Sequence, residues 1–260
     1  MEKMKLKKKD EGFSLLELSV VLLVIGMLLS IASFSYVGML KSSEQKQTLY
    51  RISEVQSALL TFVVTNHRLP CADVDGNGYE GSGSPGVCGQ ATVSKAGTLP
   101  YKTLFMDSEP LDGSHQAFRY GVYRNGLANA DLTTNLERTG DSVSSEKYKG
   151  LGDFLKALEL AEAAVTLNTQ IYVTGDGVRT GAAQCALNVV GNVAYALISG
   201  GYDDLDGLNG YWDAPNGMFG VGNYCVASPS SMQTVVYDDV VAVESFASLR
   251  GKLLALAAAL

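Results

Sequence analysis

The chain has 260 residues, 47% of them hydrophobic, and a formal net charge of −7 at pH 7. That apolar content is ordinary for a globular protein and supplies a sizeable core, in one large domain or two small ones. Residues 1 to 12 hold five lysines against three acids, and the remainder holds 15 basic against 24 acidic residues. The acidic part shows no basic stripe interleaved with aromatics, so a phosphate-reading nucleic-acid surface is not expected.

Lys3, Lys5, Lys7, Lys8 and Lys9 precede Leu18 to Leu40, 23 residues without a charged side chain, which end at Lys41, Glu44 and Lys46. As a helix rising about 1.5 Å per residue the block spans roughly 34 Å, enough for a hydrocarbon core of about 30 Å. The positive-inside rule holds the lysine-rich end in the cytoplasm and puts the rest of the chain outside. A lone carboxylate, Glu17, sits one turn into this lipid-compatible helix. An ionised residue costs about 2.5 to 3.5 kcal/mol at a helix centre and less near the interface, so Glu17 calls for a partner.

The helix does not stop with the apolar block. Residues 41 to 66 contain neither proline nor glycine, and Leu49, Ile52, Val55, Leu59, Phe62 and Val63 keep a helical period. One helix is predicted from Phe13 to about Asn66, apolar all round in its first half and amphipathic in its second; its 54 residues would reach about 80 Å. Leu69-Pro70 ends it, and residues 71 to 98 read as loop, rich in Gly, Ser, Asp and Asn.

Cys71, Cys88, Cys185 and Cys225 form an even set without a CxxC pair, which fits disulfides in an oxidising compartment. Three connectivities are possible, and locality favours Cys71 with Cys88 and Cys185 with Cys225. Within the first loop, Asp73, Asp75, Asn77 and Glu80 alternate with other residues around Gly76 and Gly78, as in the opening of an EF-hand-type calcium loop. The twelfth position is Ser84, where a bidentate glutamate belongs, and the competing reading is an Asp/Asn/Gly turn cluster fixed by the cysteines. Calcium is thus a possible ligand, and no cofactor is required. Gly76, Gly78 and Gly81 match the dinucleotide fingerprint only formally, because no strand precedes them and no helix follows.

Further along, Phe118 to Tyr123, Gln170 to Thr174, Val189 to Ile198 and Thr234 to Val243 are predicted strands, bounded by turn signals, of a mostly antiparallel sheet. An amphipathic helix is expected over Gly152 to Leu167, and a terminal one from Ser245 as N-cap to Leu260. A second acidic group, Asp203, Asp204, Asp206, Asn209 and Asp213, lies between Cys185 and Cys225 with less regular spacing and is a weaker candidate for a metal. Asp238 and Asp239 are expected to cap or turn. His67 and His115 lack a second ligand at useful spacing and read as surface or helix-end residues. With no nucleophile elbow, HExxH or P-loop, an enzyme is not expected.

Residues 8 to 28, Lys-Lys-Asp-Glu-Gly-Phe-Ser-Leu-Leu-Glu-Leu-Ser-Val-Val-Leu-Leu-Val-Ile-Gly-Met-Leu, resemble a type IV prepilin signal. The resemblance implies cleavage by a prepilin peptidase between Gly12 and Phe13, N-methylation of Phe13, and pairing of Glu17 with the new N-terminal amine of a neighbouring subunit during assembly. It also implies partners: other pilin or pseudopilin subunits and an inner-membrane assembly platform. A single-pass inner-membrane precursor, N-terminus cytoplasmic, would then enter a pilus or pseudopilus. The implied fold is α+β, a long N-terminal helix with a transmembrane first half, packed on a mainly antiparallel β-sheet globular domain. Its parts would be a leader (residues 1–12), an assembly helix (13–40), an amphipathic continuation (41–66) and a globular domain (67–260).

Three other readings compete. A secretory signal peptide would be cut near Ser30-Ile31-Ala32, yet Glu17 interrupts its apolar region. A plain anchor gives no reason for Gly-Phe followed by Glu. A membrane-anchored extracytoplasmic binding module that never polymerises, with calcium as its candidate ligand, is the alternative in another functional class.

Overall fold

The computed structural model describes residues 15–84, 86–89, 95–140, 149–175, 185, 188–205, 207, 210–220 and 222–258, without the side chains of residues 31–37 and 218. Two compact units divide at Ser43 and Glu44. Helix α1 runs Leu15–Asn66 and belongs to both. Among the described residues no helix is long and apolar enough to cross a membrane. The span expected over residues 18 to 40 includes the undescribed side chains of 31–37.

The second unit is an α+β domain, as expected. Its strands are β1 (Ala96–Thr98), β2 (Arg119–Val122), β3 (Tyr172–Thr174), β4 (Val189–Asn192), β5 (Tyr195–Ser199), β6 (Cys225–Val226) and β7 (Val240–Glu244). Helix α2 spans Leu151–Ala163 and α3 Phe246–Ala257. One sheet has the order β1-β2-β5-β7 and is antiparallel throughout. The other has the order β4-β3-β6, with β3 and β6 parallel.

The periodic face of α1 is what holds the first sheet. Ile52, Val55, Leu59, Phe62 and Val63 are buried against Tyr120, Val122, Tyr195 and Leu197, together with Phe154 and Leu158 of α2 and Phe246, Leu249 and Leu253 of α3. Burying such a side chain stabilises the fold by about 1.5 to 3 kcal/mol. The opposite face of the sheet is covered as well. Ala196 and Ile198 alternate with Tyr195 and Leu197 along β5 and join Ile171, Phe219, Val226, Tyr237 and Val241 in a second core. Because both faces of β5 are covered, Tyr-Ala-Leu-Ile-Ser is an unbroken apolar run up to its last residue.

Two predicted strands differ from the observed ones. Val189 to Ile198 is two strands in two sheets, and the transfer occurs at Asn192. Its side-chain Nδ2 donates to the carbonyls of Leu167 (2.8 Å) and Ile171 (3.0 Å). The next N–H, Val193, still donates to Ile171, the residue before β3, and Ala194 already donates to Glu244 of the first sheet. Thr234 to Val243 begins instead with a tight turn, closed by Thr234 N–H to Tyr237 O at 2.8 Å, and β7 starts only at Val240.

Helix boundaries follow their caps. Ser245 is the N-cap of α3, its Oγ accepting from Ser248 N–H at 3.1 Å. Asp153, at the third position of α2, accepts from Gly150 N–H at 2.9 Å. The predicted extension of α2 to Leu167 fails because Leu167 N–H goes to the Asn192 Oδ1 at 2.9 Å.

Candidate functional site

Gly12 and Phe13 lie outside the described residues, so the geometry of the N-terminal signal begins at Leu15. From there the helix exposes its apolar side chains on every side: Leu16, Leu18, Val20, Leu22, Leu23, Met27, Leu28 and Leu29 all stand open. A continuous apolar surface of this kind marks contact with lipid or with another protein. Among the described residues nothing lies within 4 Å of where a Cβ on Gly26 would stand. Ser19 satisfies its hydroxyl locally, donating to Leu16 O at 2.8 Å.

Glu17 occupies the first turn of α1.

Both disulfides have the pairing that locality favours, Cys71–Cys88 and Cys185–Cys225. The first closes the loop that holds Asp73, Asp75, Asn77 and Glu80. Each of these four side chains accepts at least one backbone N–H. Asp73 Oδ1 accepts from Asp75 N–H (3.1 Å) and Gly76 N–H (2.8 Å), and Oδ2 from Gly78 N–H (2.7 Å). Asp75 accepts from Gly83 N–H at 2.8 Å, a bond that holds its carboxyl below the ordinary value. Asn77 accepts from Tyr79 N–H at 2.7 Å and donates to Gly83 O at 2.8 Å. Glu80 turns away to Arg68, at 2.7 Å from Nη1 to Oε2, and to Cys71 N–H. This is the bonding of an Asx-turn cluster. Gly81, at φ +71, is required by the same loop, since a Cβ would stand 2.0 Å from Val87 O.

His67 follows the last residue of α1, its N–H donating to Val63 O and its Nδ1 lying 2.9 Å from Lys149 O. His115 sits in a turn, its N–H donating to Asp112 O. Both have positive φ, 53° and 63°, a conformation in which His is enriched among non-glycine residues.

The sequence did not predict a meeting of Asp213, Asp238 and Asp239, all buried, with one carboxylate oxygen of each within 4.8 Å of the others. Sequence spacing groups Asp213 with its neighbours and gives Asp238-Asp239 a cap or turn role. A separation of 25 residues hides the cluster, and its only sequence signal is an acidic pair just ahead of an apolar strand.

Residues 7–33 match the family described as "Prokaryotic N-terminal methylation motif". No curated protein and no solved structure matches the chain. The chain thus carries the type IV pilin and pseudopilin signal, a pilin-like N-terminus joined to an α+β domain of its own.

Proposed function

We propose that the protein is a structural, non-enzymatic subunit, a minor one, of a type IV pilus or type II secretion pseudopilus. The single observation that carries this reading is the methylation motif at residues 7–33, leading directly into the exposed apolar surface of α1. Prepilin peptidase would cut after Gly12 while residues 18 to 40 hold the precursor in the inner membrane, and Phe13 would become the N-methylated terminus. The new amine, with a reference pKa near 8, is largely protonated at pH 7 and supplies the opposite charge for Glu17. Neighbouring subunits would then pack their apolar helices together, with Gly26 and Ser30 allowing close approach. The minor role rests on size, since about 248 residues after cleavage is large for a main repeating pilin.

Mass spectrometry of the mature N-terminus tests the processing step. N-methyl-Phe13 is expected, and an intact leader on the membrane-bound protein rejects the filament reading in favour of a non-polymerising anchored module. The substitution Glu17→Ala should leave membrane insertion intact and reduce recovery in sheared filaments, and normal recovery would remove the role given to Glu17.

A further inference from the structure

The Cys71–Cys88 bridge has a carboxylate beside it. One oxygen of Glu80 and the two sulfurs all lie within 4.8 Å of one another. Glu80 Oε2 stands 3.2 Å from Cys88 Sγ and accepts from the Cys71 N–H at 3.1 Å. Cys71 and Glu80 are buried and Cys88 is half-buried, which leaves solvent access from the Cys88 side.

Glu80 is placed by contacts that do not pass through the bridge. Arg68 holds both of its oxygens, Nη1 to Oε2 at 2.7 Å and Nη2 to Oε1, and the guanidinium carbon lies 5.1 Å from the centre of the Phe62 ring. The Glu80 N–H donates to Thr103 Oγ1 at 2.9 Å. The second bridge differs: among the described residues no carboxylate, imidazole or further thiol joins Cys185 and Cys225 in this way.

We propose that Cys71, Cys88 and Glu80 form a binding site for a thiophilic divalent cation, zinc above all, in the chain whose first bridge is not yet closed. Zinc takes thiolate sulfur at about 2.3 Å and carboxylate oxygen at about 2.0 to 2.2 Å in a tetrahedron, so its ligand atoms stand about 3.5 to 3.8 Å apart. Glu80 Oε2 and Cys88 Sγ are already close to that separation. The Cα atoms of the two cysteines are 5.8 Å apart, and rotation about their Cα–Cβ bonds lets the unbridged sulfurs spread to it.

The charges balance as well. Two thiolates and Glu80 carry three negative charges against the one positive charge of Arg68, which leaves two for the ion. Arg68 keeps Oε1 while Oε2 turns to the metal, the usual situation of a ligating carboxylate, which is itself hydrogen-bonded. Water takes the fourth position from the Cys88 side. Binding expels one proton from each thiol and moves no electron. Closing the bridge passes two electrons to a disulfide oxidant, and the ion leaves because neither sulfur remains a thiolate.

The test uses the full-length protein in detergent micelles, reduced with a phosphine and titrated with cobalt(II) as the probe. Thiolate-to-cobalt charge-transfer absorption is expected at one ion per chain, displaced by zinc and absent before reduction. Cys71→Ser should abolish it, and the double variant Cys185→Ser with Cys225→Ser should keep it. Glu80→Gln should weaken cobalt binding at least tenfold. No such absorption in the reduced wild type, its survival in Cys71→Ser, or equal affinity in Glu80→Gln overturns the proposal. Where a variant does not fold, zinc-edge X-ray absorption of the reduced wild type decides. Two sulfur ligands with oxygen are expected, and a shell of four sulfurs or of none overturns the site.

Discussion

Arg68 grips Glu80 through two parallel hydrogen bonds, Nη1 to Oε2 at 2.7 Å and Nη2 to Oε1, and the Cys71 N–H adds a third to Oε2 at 3.1 Å. The pair joins the second residue past α1 to the far side of the disulfide loop, where Glu80 Oε2 lies 3.2 Å from Cys88 Sγ. A bidentate pair of this kind is directional as well as strong. The Glu80 side chain is only 11% exposed, so removing it strands a half-covered guanidinium. Glu80→Ala is expected to lower stability by about 3 kcal/mol, read from urea denaturation midpoints. Glu80→Gln, which still accepts a hydrogen bond, should lose less.

The same loop bears on calcium. Asp73 accepts three backbone N–H bonds and Glu80 is engaged by Arg68, so isothermal titration of the protein with millimolar calcium is expected to give no heat. A saturable heat would contradict the turn assignment. Asp73→Ala leaves three donors unmatched and should cost about 2 to 3 kcal/mol in the same denaturation assay.

Acid should weaken the base of α2. Burial pushes the Asp153 carboxyl up, but the N–H groups of Arg138, Gly150 and Thr139, with the Thr139 hydroxyl, outweigh it and hold the group below its ordinary value of 3.8. A carboxyl depressed on folding adds stability that is present above its unfolded value and lost as pH falls through the folded one. Denaturation midpoints should therefore fall below about pH 4, and Asp153→Asn should show a shallower fall together with a loss of about 1 kcal/mol at pH 7.

Reduction should reveal two separable contributions. The Cys71–Cys88 ring has a sequence separation of 17 and the Cys185–Cys225 ring one of 40. The chain-entropy account gives each about 3 to 4 kcal/mol, slightly more for the longer ring. Paired Ala substitutions at each bridge, followed by thermal melts with and without reductant, measure them one at a time.

Features carried by local pattern could be read from the sequence: the heptad-like face at Ile52, Val55, Leu59 and Phe62, the Ser245 cap, and the proximity of each cysteine pair. What escaped depends on contacts between distant segments. Nothing near Val189 announces that Asn192 will hand the chain from one sheet to another, because the acceptors are Leu167 and Ile171. The parallel pairing of β3 with β6 likewise joins Tyr172 to Cys225 across more than 50 residues. Short polar side chains serve backbone turns and ion loops equally well, so the spacing at Asp73 does not by itself distinguish the two.

The unequal rings also impose an order on oxidation. As a chain grows at roughly 5 to 20 residues per second, a partner 17 positions behind follows within about 1 to 3 s and one 40 positions behind within about 2 to 8 s. Cys71 and Cys88 precede both members of the other pair, so their ring can close before Cys185 emerges. Cys185 then waits as a lone thiol for the longer interval, with Cys88 already taken as a wrong partner. A vectorially delivered chain therefore reaches its correct bridges by timing, whereas refolding from the fully reduced state must choose among three pairings at once.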